Sequence, residues 1–331
     1  MEKVTIRDIA EAAGVSTSTV SRIINGKGKY SQETKQTVWN AISSMGYSPN
    51  LIAQTLRSNT NPLVGIILPE GSSEYFSRLV NLLIHDMIRD GLIPMVCVTF
   101  HDENIEQAYC RTLSALNAGA IIYVFKETPV KKEAAHIPSI FVGTAPSDTE
   151  ESTRVLFDVV GGAKRATDEL IRAGCRRIAY FQSSRFRDGH VGRYLGYQQS
   201  LWENGLSVDE DLVLIAGGSE QRTVAEALDS LLQRGIRFDG IYSNTVTAAI
   251  EATNHLQKKG LRIPKDIKVI SQGNGPLAEM YMPSISAIEM DSSLMCQSVI
   301  SSLKQILTDG QLPRSTVRIP SVLYARQSTE G

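Results

Sequence analysis

The chain has 331 residues, of which 42% are hydrophobic and 21% charged, and its net charge is −1. Such a length and composition are typical of a globular protein with two or three domains, and they exclude a disordered or fibrous chain. No apolar run reaches the length of a membrane span, and the polar start MEKVTIRD is unlike a signal peptide. We therefore expect a cytoplasmic protein with no membrane partner.

The cysteines and histidines are scattered along the chain. Cys97, Cys110, Cys175 and Cys296 form no CxxC pair and have no histidine beside them. This spacing favours neither a disulfide framework nor a zinc site. The sequence also contains no phosphate-loop, nucleophile-elbow or GxGxxG motif. We therefore predict no metal, no cofactor and no enzymatic activity.

Residues 5–25 predict two short helices joined by a tight turn. Thr5 and Asp8 have the spacing of a capping box, Gly14 suits the left-handed backbone that ends a helix, and Ser16 is placed to cap the second helix. The second helix carries short, uncharged polar side chains and a single arginine on one face: Thr17, Ser18, Ser21, Arg22 and Asn25. Such a face is suited to reading base edges in a major groove. The pattern therefore predicts a helix-turn-helix, with a solvated helical hairpin as the plainer alternative.

A third helix is predicted between Ser31, its N-cap, and Gly46, its C-terminal end. Residues 1–61 carry seven basic and four acidic side chains, so this region has a net charge of +3 and the remainder one of −4. A basic N-terminal region joined to an acidic remainder indicates that the first contacts phosphates and that the second has a different role. Because +3 is modest, we expect two copies to bind a two-fold DNA site together.

The N-terminal region also resembles a known family. The resemblance is carried by residues 6–25 (IRDIAEAAGVSTSTVSRIIN), 31–47 (SQETKQTVWNAISSMGY) and 49–57 (PNLIAQTLR). These stretches closely resemble the N-terminus of the lactose-repressor/galactose-repressor (LacI/GalR) family of bacterial transcription regulators. The resemblance implies a homodimeric repressor of carbohydrate-utilisation genes that binds a pseudo-palindromic operator in double-stranded DNA. The DNA contacts that we expect are Thr5, Ser16, Thr17, Ser18, Ser21, Arg22, Asn25, Tyr47, Asn50, Ala53, Leu56 and Arg57.

Residues 47–61 are expected to form a hinge. The stretch LIAQTLR is too short to be a stable helix alone, so it needs a partner. The resemblance implies a hinge helix that folds when two copies meet over the minor groove, with Leu56 inserted between base pairs and Ala53 allowing close approach. A frayed linker whose Leu56 packs on the next domain is the alternative.

From Leu63 onward, short apolar runs alternate with helical patterns. The runs do not alternate between polar and apolar residues, which is typical of strands buried on both faces of a parallel sheet. Several helical stretches end in glycine, at Gly91, Gly119, Gly174, Gly205, Gly235 and Gly260. The predicted strands are 64–68, 95–100, 120–125, 139–142, 155–158, 177–181, 213–216, 240–243 and 267–271. Strand–helix repetition predicts doubly wound parallel sheets, and nine strands are enough for two lobes.

We thus expect a DNA-binding domain at 1–46, the hinge at 47–61 and an α/β core at 62–331. The resemblance implies a periplasmic-binding-protein-like core whose two lobes exchange segments. The N-lobe is expected at about 62–160 and 292–320, and the C-lobe at about 161–291 and 321–331.

A ligand of such a core is expected at the carboxyl ends of the strands, in the cleft between the lobes. Tyr75 and Phe76 follow the first strand and offer an apolar face to a ring, or they pack at the start of a helix. The resemblance places further candidates at the cleft: Asp158, Arg187, Arg193, Asn244 and Gly273. For Asp158 the plainer alternative is a helix cap.

Three positions depart from the family pattern. Gly143, Thr245 and Gly273 stand where family members often carry a carboxylate. Fewer carboxylates beside two arginines favour an anionic effector, because the guanidinium fork matches phosphate geometry. Residues 273–277 also resemble the trehalose-operon repressors of the family, whose effector is a sugar phosphate. We therefore predict a sugar or sugar phosphate; the alternatives are a regulator that senses a protein partner or no small molecule and, more remotely, an enzyme with an appended DNA-binding domain.

Overall fold

The structure is a computed structural model. It describes residues 4–24, 28, 30–47, 61–69, 74–126, 128–146, 149, 152–183, 187–216, 223–309 and 314–330, with backbone alone for 74, 183, 187–190, 215, 216 and 309. The chain divides into two compact units, Met1–Asn61 and Pro62–Gly331, which we describe separately.

The first unit contains the three predicted helices: α1 (Ile6–Ala12), α2 (Thr17–Ile24) and α3 (Gln32–Met45). The capping box of α1 is confirmed, since the Thr5 amide donates to Asp8 Oδ2 at 2.7 Å and the Asp8 amide donates to Thr5 Oγ1 at 3.4 Å. Gly14 has a φ of 65°, as the turn between α1 and α2 requires. The three helices bury one small core, formed by Ile9, Ala10, Ala13, Val20, Ile23, Val38, Ala41 and Ile42.

The N-lobe of the second unit is built on a sheet of six parallel strands. The strands are β1 (Leu63–Leu68), β2 (Ile93–Val98), β3 (Ala120–Val124), β4 (Ser139–Gly143), β5 (Thr153–Phe157) and β11 (Thr316–Ile319). Their order across the sheet is β11-β5-β4-β3-β1-β2, so β2 lies at an edge. The helices of this lobe are α4 (Glu74–Arg89), α5 (Glu103–Ala115) and α11 (Ser292–Asp309).

The C-lobe is built on a second six-stranded sheet. The strands are β6 (Ile178–Ser183), β7 (Val213–Ala216), β8 (Gly240–Ser243), β9 (Lys268–Gln272), β10 (Ser286–Met290) and β12 (Ser321–Tyr324). Their order across the sheet is β12-β10-β9-β8-β6-β7, and all are parallel except β12, which pairs antiparallel with β10. The helices are α6 (Val159–Arg172), α7 (Arg187–Glu203), α8 (Val224–Gln233), α9 (Val246–Lys258) and α10 (Pro276–Met280).

Each sheet is covered on both faces. In the N-lobe, Ile66 and Ile122 point into one buried cluster, whereas Ile67 and Ile121 point into another. Two further clusters cover the faces of the C-lobe sheet. This burial explains why the strands read as continuous apolar runs. The chain crosses between the lobes after β5, after β10 and between β11 and β12.

The predicted fold class is confirmed, and all nine predicted strands are present with ends shifted by a few residues. The strands β10, β11 and β12 were not predicted, since they are short and contain serine, threonine or charged residues. The prediction that Gly119 ends a helix is wrong. Asn117 takes the left-handed conformation after α5, with a φ of 51°, and the Gly119 amide donates to Leu63 O at the start of β3.

Candidate DNA interface and effector cleft

The polar face of α2 is turned outward in its own unit. Val20 and Ile23 are buried in the small core, while Thr17, Ser18 and Arg22 are exposed. Ser21 is half-buried. A helix that sends its apolar stripe inward and leaves short hydroxyls and one guanidinium outside has the composition of a base-reading surface.

The side chains of Thr5 and Ser16 cap the N-termini of α1 and α2. Thr5 belongs to the capping box of α1, and Ser16 Oγ accepts a hydrogen bond from the Thr19 amide at 3.1 Å. The Ser16 hydroxyl also lies 2.7 Å from that of Ser18. Both residues therefore cap the first turn of a helix, and an exposed hydroxyl at such a position can still contact a phosphate.

Other predicted DNA contacts are only partly described. Tyr47 is half-buried against the core of the unit, and its amide donates to Ile42 O at 3.1 Å. Arg7, Arg22 and Lys35 are exposed cations of the described part of this unit. Asn25, Asn50, Ala53, Leu56 and Arg57, and with them the predicted hinge helix, lie outside the described residues.

In the second unit, aromatic rings gather where the N-lobe strands end. Tyr75 and Phe157 are in edge contact with ring centroids 5.4 Å apart, and Phe76 and Phe125 are in edge contact at 4.8 Å. Phe125 and Phe157 are 5.3 Å apart. Phe76 is 3% exposed and lies within the N-lobe core, so it packs at the start of α4, which is the plainer of the two interpretations.

Tyr75 is the polar member of this cluster. Its hydroxyl is buried and makes no hydrogen bond of ordinary geometry among the described residues, although the Ser292 side chain acts on it as a polar neighbour. Burial raises the pKa of Tyr75 well above its ordinary value, so the phenol stays protonated and can act as a donor. A buried donor whose hydrogen bond is poorly formed is costly, and such a site favours a ligand or a water molecule that accepts the hydrogen bond better.

At the carboxyl ends of the other strands, several polar side chains serve as helix caps. Asp158 Oδ1 accepts a hydrogen bond from the Gly161 amide at 3.0 Å and caps α6. Thr245 Oγ1 accepts one from the Ala248 amide at 3.2 Å and caps α9. Asp291 Oδ1 likewise accepts from the Ser293 and Leu294 amides.

Asn244 and Gly273 lie at the ends of β8 and β9. Asn244 is 4% exposed, and its amide donates to Phe181 O at 3.0 Å. Gly273 has a φ of 89°, and its amide donates to Ile288 O at 2.7 Å. A Cβ added to Gly273 would fit without a clash, since it would meet Val246 Cγ2 at an ordinary contact distance of 3.7 Å. The backbone conformation therefore favours glycine here more than crowding does.

Arg193 on α7 is a half-buried cation whose Nε and Nη1 atoms are buried without a hydrogen-bond partner in the described part of the chain. Its charge acts on Tyr180 and Tyr242, whose hydroxyls donate to Gln182 Oε1 at 2.8 Å and Gln272 Oε1 at 3.3 Å. Burial raises the pKa of Tyr242 to about 12, although the Arg193 charge opposes that rise. The tyrosines thus stay neutral and give Arg193 no counter-ion.

Arg187 begins α7, but its side chain lies outside the described residues. No group of three or more His, Cys, Asp or Glu side chains in the described ranges is arranged to hold a metal ion. No helix of the described part is long and apolar enough to cross a membrane.

A contact between the lobes was not predicted from the sequence. Arg78 on α4 reaches across to Glu289 on β10 and to the backbone of Asn274 after β9. The one available signal was Glu289 itself, because a glutamate within the apolar run of a buried strand needs a charged or polar partner. The sequence could not show that this partner comes from the other lobe.

Two family models match the chain. The model for bacterial regulatory proteins of the lacI family matches residues 5–50, and the model for periplasmic binding protein-like domains matches residues 167–329. The chain belongs to the LacI family. The LacI-family resemblance of the N-terminal region is thereby confirmed, and with it the function of a DNA-binding transcriptional regulator.

Relatives match this LacI-family regulator over nearly its whole length. An HTH-type transcriptional regulator of Lachnoclostridium phytofermentans is 28% identical over 98% of this chain and 99% of its own. The ribose operon repressor of Halalkalibacterium halodurans is 27% identical over 99% and 97%, and the repressor PurR of Vibrio atlanticus is 27% identical over 92% of each chain.

Solved structures agree with the fold of this LacI-family chain. The lac repressor dimer bound to operator and the anti-inducer ONPF superposes with a TM-score of 0.83 at 22% identity, covering 99% of both chains. The complex of the transcriptional regulator CelR with cellobiose gives a TM-score of 0.71 at 23% identity, covering 98% of this chain and 100% of that one.

Proposed function

We propose that this chain is a homodimeric repressor of carbohydrate-utilisation genes that binds a pseudo-palindromic operator. An anionic effector in the cleft between the lobes controls its affinity for that operator. The observation that carries the proposal is Arg193, whose Nε and Nη1 donors are buried and without a hydrogen-bond partner among the described residues. On the DNA side, α2 supplies the reading face, with Thr17, Ser18, Ser21, Arg22 and Asn25 as proposed base-edge or phosphate contacts.

An anion suits Arg193 better than a neutral ligand does. A buried guanidinium costs free energy unless a charged or strongly polar group accepts its hydrogen bonds. The carboxylates at the carboxyl ends of β5 and β10 are engaged elsewhere, since Asp158 and Asp291 cap helices and Glu289 pairs with Arg78. A phosphate or carboxylate of the effector would therefore supply the missing acceptors. We place the sugar ring of a sugar phosphate towards Tyr75, whose buried hydroxyl makes no hydrogen bond of ordinary geometry among the described residues.

Exposed apolar side chains support the dimer. In the N-lobe, β2 is an edge strand, and Val96 on it is 41% exposed. Ile88 at the end of α4 and Phe100 just after β2 are 61% and 71% exposed. An open edge flanked by large apolar residues favours association with another chain. In the C-lobe, Met280 and Met282 are each 74% exposed, and we propose that they extend the same interface.

Two copies would place two α2 helices in successive major grooves and bring the two hinge segments together over the minor groove. Leu56 and Ala53 keep their proposed roles there on the strength of the family resemblance. Effector binding would change the relation between the lobes and so misplace the hinges. The change in operator affinity cannot exceed the difference in effector affinity between the two states. Because its target is DNA, we place the protein in the cytoplasm, with no catalytic role.

A ligand panel tests the effector half of the proposal. The melting temperature of the full chain would be measured with neutral sugars, their phosphates and nucleobases. Ligand binding to the native state stabilises it by about 2.7 kcal/mol at a hundredfold excess over Kd. We expect a rise with a sugar phosphate that is absent with the parent sugar.

The matched variants are Arg193→Gln and Arg172→Gln, since Arg172 is an exposed arginine that pairs with Glu169 on its own helix. We expect the first variant to lose the selective rise and the second to keep it. Equal binding of the neutral sugar and its phosphate would overturn the anion proposal. No rise with any member would favour the alternative of a protein partner or no effector.

A further inference from the structure

We infer that Arg78, Glu289 and Asn274 form a latch that holds the two lobes of the core in one relative orientation. Arg78 Nη2 lies 2.7 Å from Glu289 Oε1, and Arg78 Nη1 donates to Glu289 Oε2 at 3.1 Å. The same Nη2 donates to the carbonyl oxygen of Asn274 at 2.7 Å. One guanidinium from the N-lobe therefore engages two separate elements of the C-lobe.

The C-lobe side of the latch is prearranged. Asn274 Nδ2 donates to Glu289 Oε2 at 3.3 Å, and Asn274 Oδ1 accepts from Arg326 Nη2 at 2.6 Å. Arg326 is in turn held by Ile285 O at 2.8 Å. Asn274 is thus oriented from both ends of its amide before Arg78 arrives. Because Asn274 is already held in place, it loses little conformational freedom when the contact with Arg78 forms, and this favours a stable contact between the lobes.

Burial gives the latch its strength. The Glu289 side chain is 5% exposed, whereas that of Arg78 is 36% exposed. If the lobes separate, Arg78 regains water readily, but Glu289 must be rehydrated or left without its counter-ion. Breaking one side of a buried charge pair is far more costly than breaking an exposed one. The lobe orientation in which Arg78 covers Glu289 is therefore selectively stabilised.

The position of the latch connects it to regulation. Asn274 directly follows Gly273, which we place at the effector cleft, and Glu289 lies two residues before Asp291, where the chain crosses to the N-lobe. An effector that moves the loop at 273–275 would act on the latch directly. This link rests on the proposed function, whereas the latch itself does not.

The test measures the distance between the lobes in the full chain without any ligand. Spin labels would be attached at Lys132→Cys in the N-lobe and Lys258→Cys in the C-lobe, both exposed positions, because the four native cysteines are buried. Labelled protein would be diluted with excess unlabelled protein so that dimers with two labelled chains are rare. Pulsed electron–electron double resonance then gives the distribution of distances between the two spin labels, and so between the lobes.

We expect Arg78→Met to lower the population of molecules at the wild-type inter-lobe distance roughly tenfold relative to the population at other distances. A change of this size is typical for the loss of a charged hydrogen bond. Glu289→Gln should shift the distribution less, because the amide still accepts a hydrogen bond. The double variant should fall short of the sum of the two, since both act on one contact. Lys304→Met, which removes an ion pair with Asp90 inside the N-lobe, is the matched control and should change nothing.

A wild-type distribution in both Arg78→Met and Glu289→Gln would overturn the latch. If Arg78→Met does not fold, Arg78→Lys and Glu289→Gln decide the matter, because each keeps the size and polarity of the site. None of these outcomes depends on which effector binds, so a failed ligand panel and a failed latch can be told apart.

Discussion

The ring of Phe125 lies directly against Gly143 at the carboxyl edge of the N-lobe sheet. A Cβ added to Gly143 would be 2.6 Å from Phe125 Cε2, and Gly143 also has a φ of 85°. A side chain at position 143 would therefore meet both a ring and a strained backbone. The missing carboxylate at this position, which the sequence suggested as a sign of altered ligand chemistry, has a packing explanation as well.

Gly143→Ala should lower the stability of the core by about 2–4 kcal/mol, from left-handed strain plus overpacking. The readout is the midpoint of core unfolding in denaturant, monitored by circular dichroism. Gly205→Ala is the matched control, because Gly205 has a φ of 71° and open space around it. It should cost about 1 kcal/mol, from strain alone. Equal losses of stability in the two variants would mean that the Phe125 ring moves aside and that crowding adds nothing to the backbone strain.

Asp158 caps α6 in the structure, whereas the sequence predicts that it contacts the ligand. Two substitutions separate these roles. Asp158→Ala should destabilise the core by about 1 kcal/mol, because the Gly161 amide loses its acceptor, whereas Asp158→Asn should keep the cap and the stability. Thermal unfolding of the full chain checks both. If Asp158→Asn keeps the melting temperature but alters effector affinity, the carboxylate contacts the ligand in addition to capping α6.

Acid titration tests the pairing of Arg262 with Asp266. The guanidinium donates to Asp266 Oδ1 at 2.6 Å and Oδ2 at 2.7 Å, and the Arg262 amide donates as well, so the pKa of Asp266 falls from 3.8 to about 2. A lowered carboxyl pKa stabilises the fold above the ordinary value, and this contribution is lost as the pH falls from about 4 to about 2. Carbon-detected NMR of the Asp266 carboxyl should give this value.

Arg262→Met should raise the pKa of Asp266 towards 3.8 without reaching it, because the backbone donor remains. Lys265→Met is the control, since its charge is the weakest of the contributions and should move the value least. An Asp266 pKa near 3.8 in the unaltered chain would show that the ion pair does not form in solution.

The regular parts of the fold were predictable because each is encoded locally. Gly14 and Ser31 mark helix ends through backbone and capping preferences, and the apolar runs mark strands buried on both faces. The inter-lobe contact was not predictable, because Arg78 and Glu289 are 211 residues apart and nothing local pairs them. The resemblance indicated Arg193 as a candidate, but a sequence does not show which donors of an arginine are buried without acceptors.

Arg22 is the proposed base reader of α2, and its removal should relax sequence preference. Arg22→Ala should weaken binding to the selected operator by about 1–3 kcal/mol while leaving binding to unrelated DNA much less affected. The operator would first be found by selection of random duplexes with the full chain, and fluorescence anisotropy at fixed salt would then give the affinities. Lys35→Ala is the control, since Lys35 is an exposed cation on α3 and should contribute to all sequences alike. A loss for Arg22→Ala that is equal across all duplexes would make Arg22 a phosphate contact, and base reading would then rest on Thr17, Ser18 and Ser21.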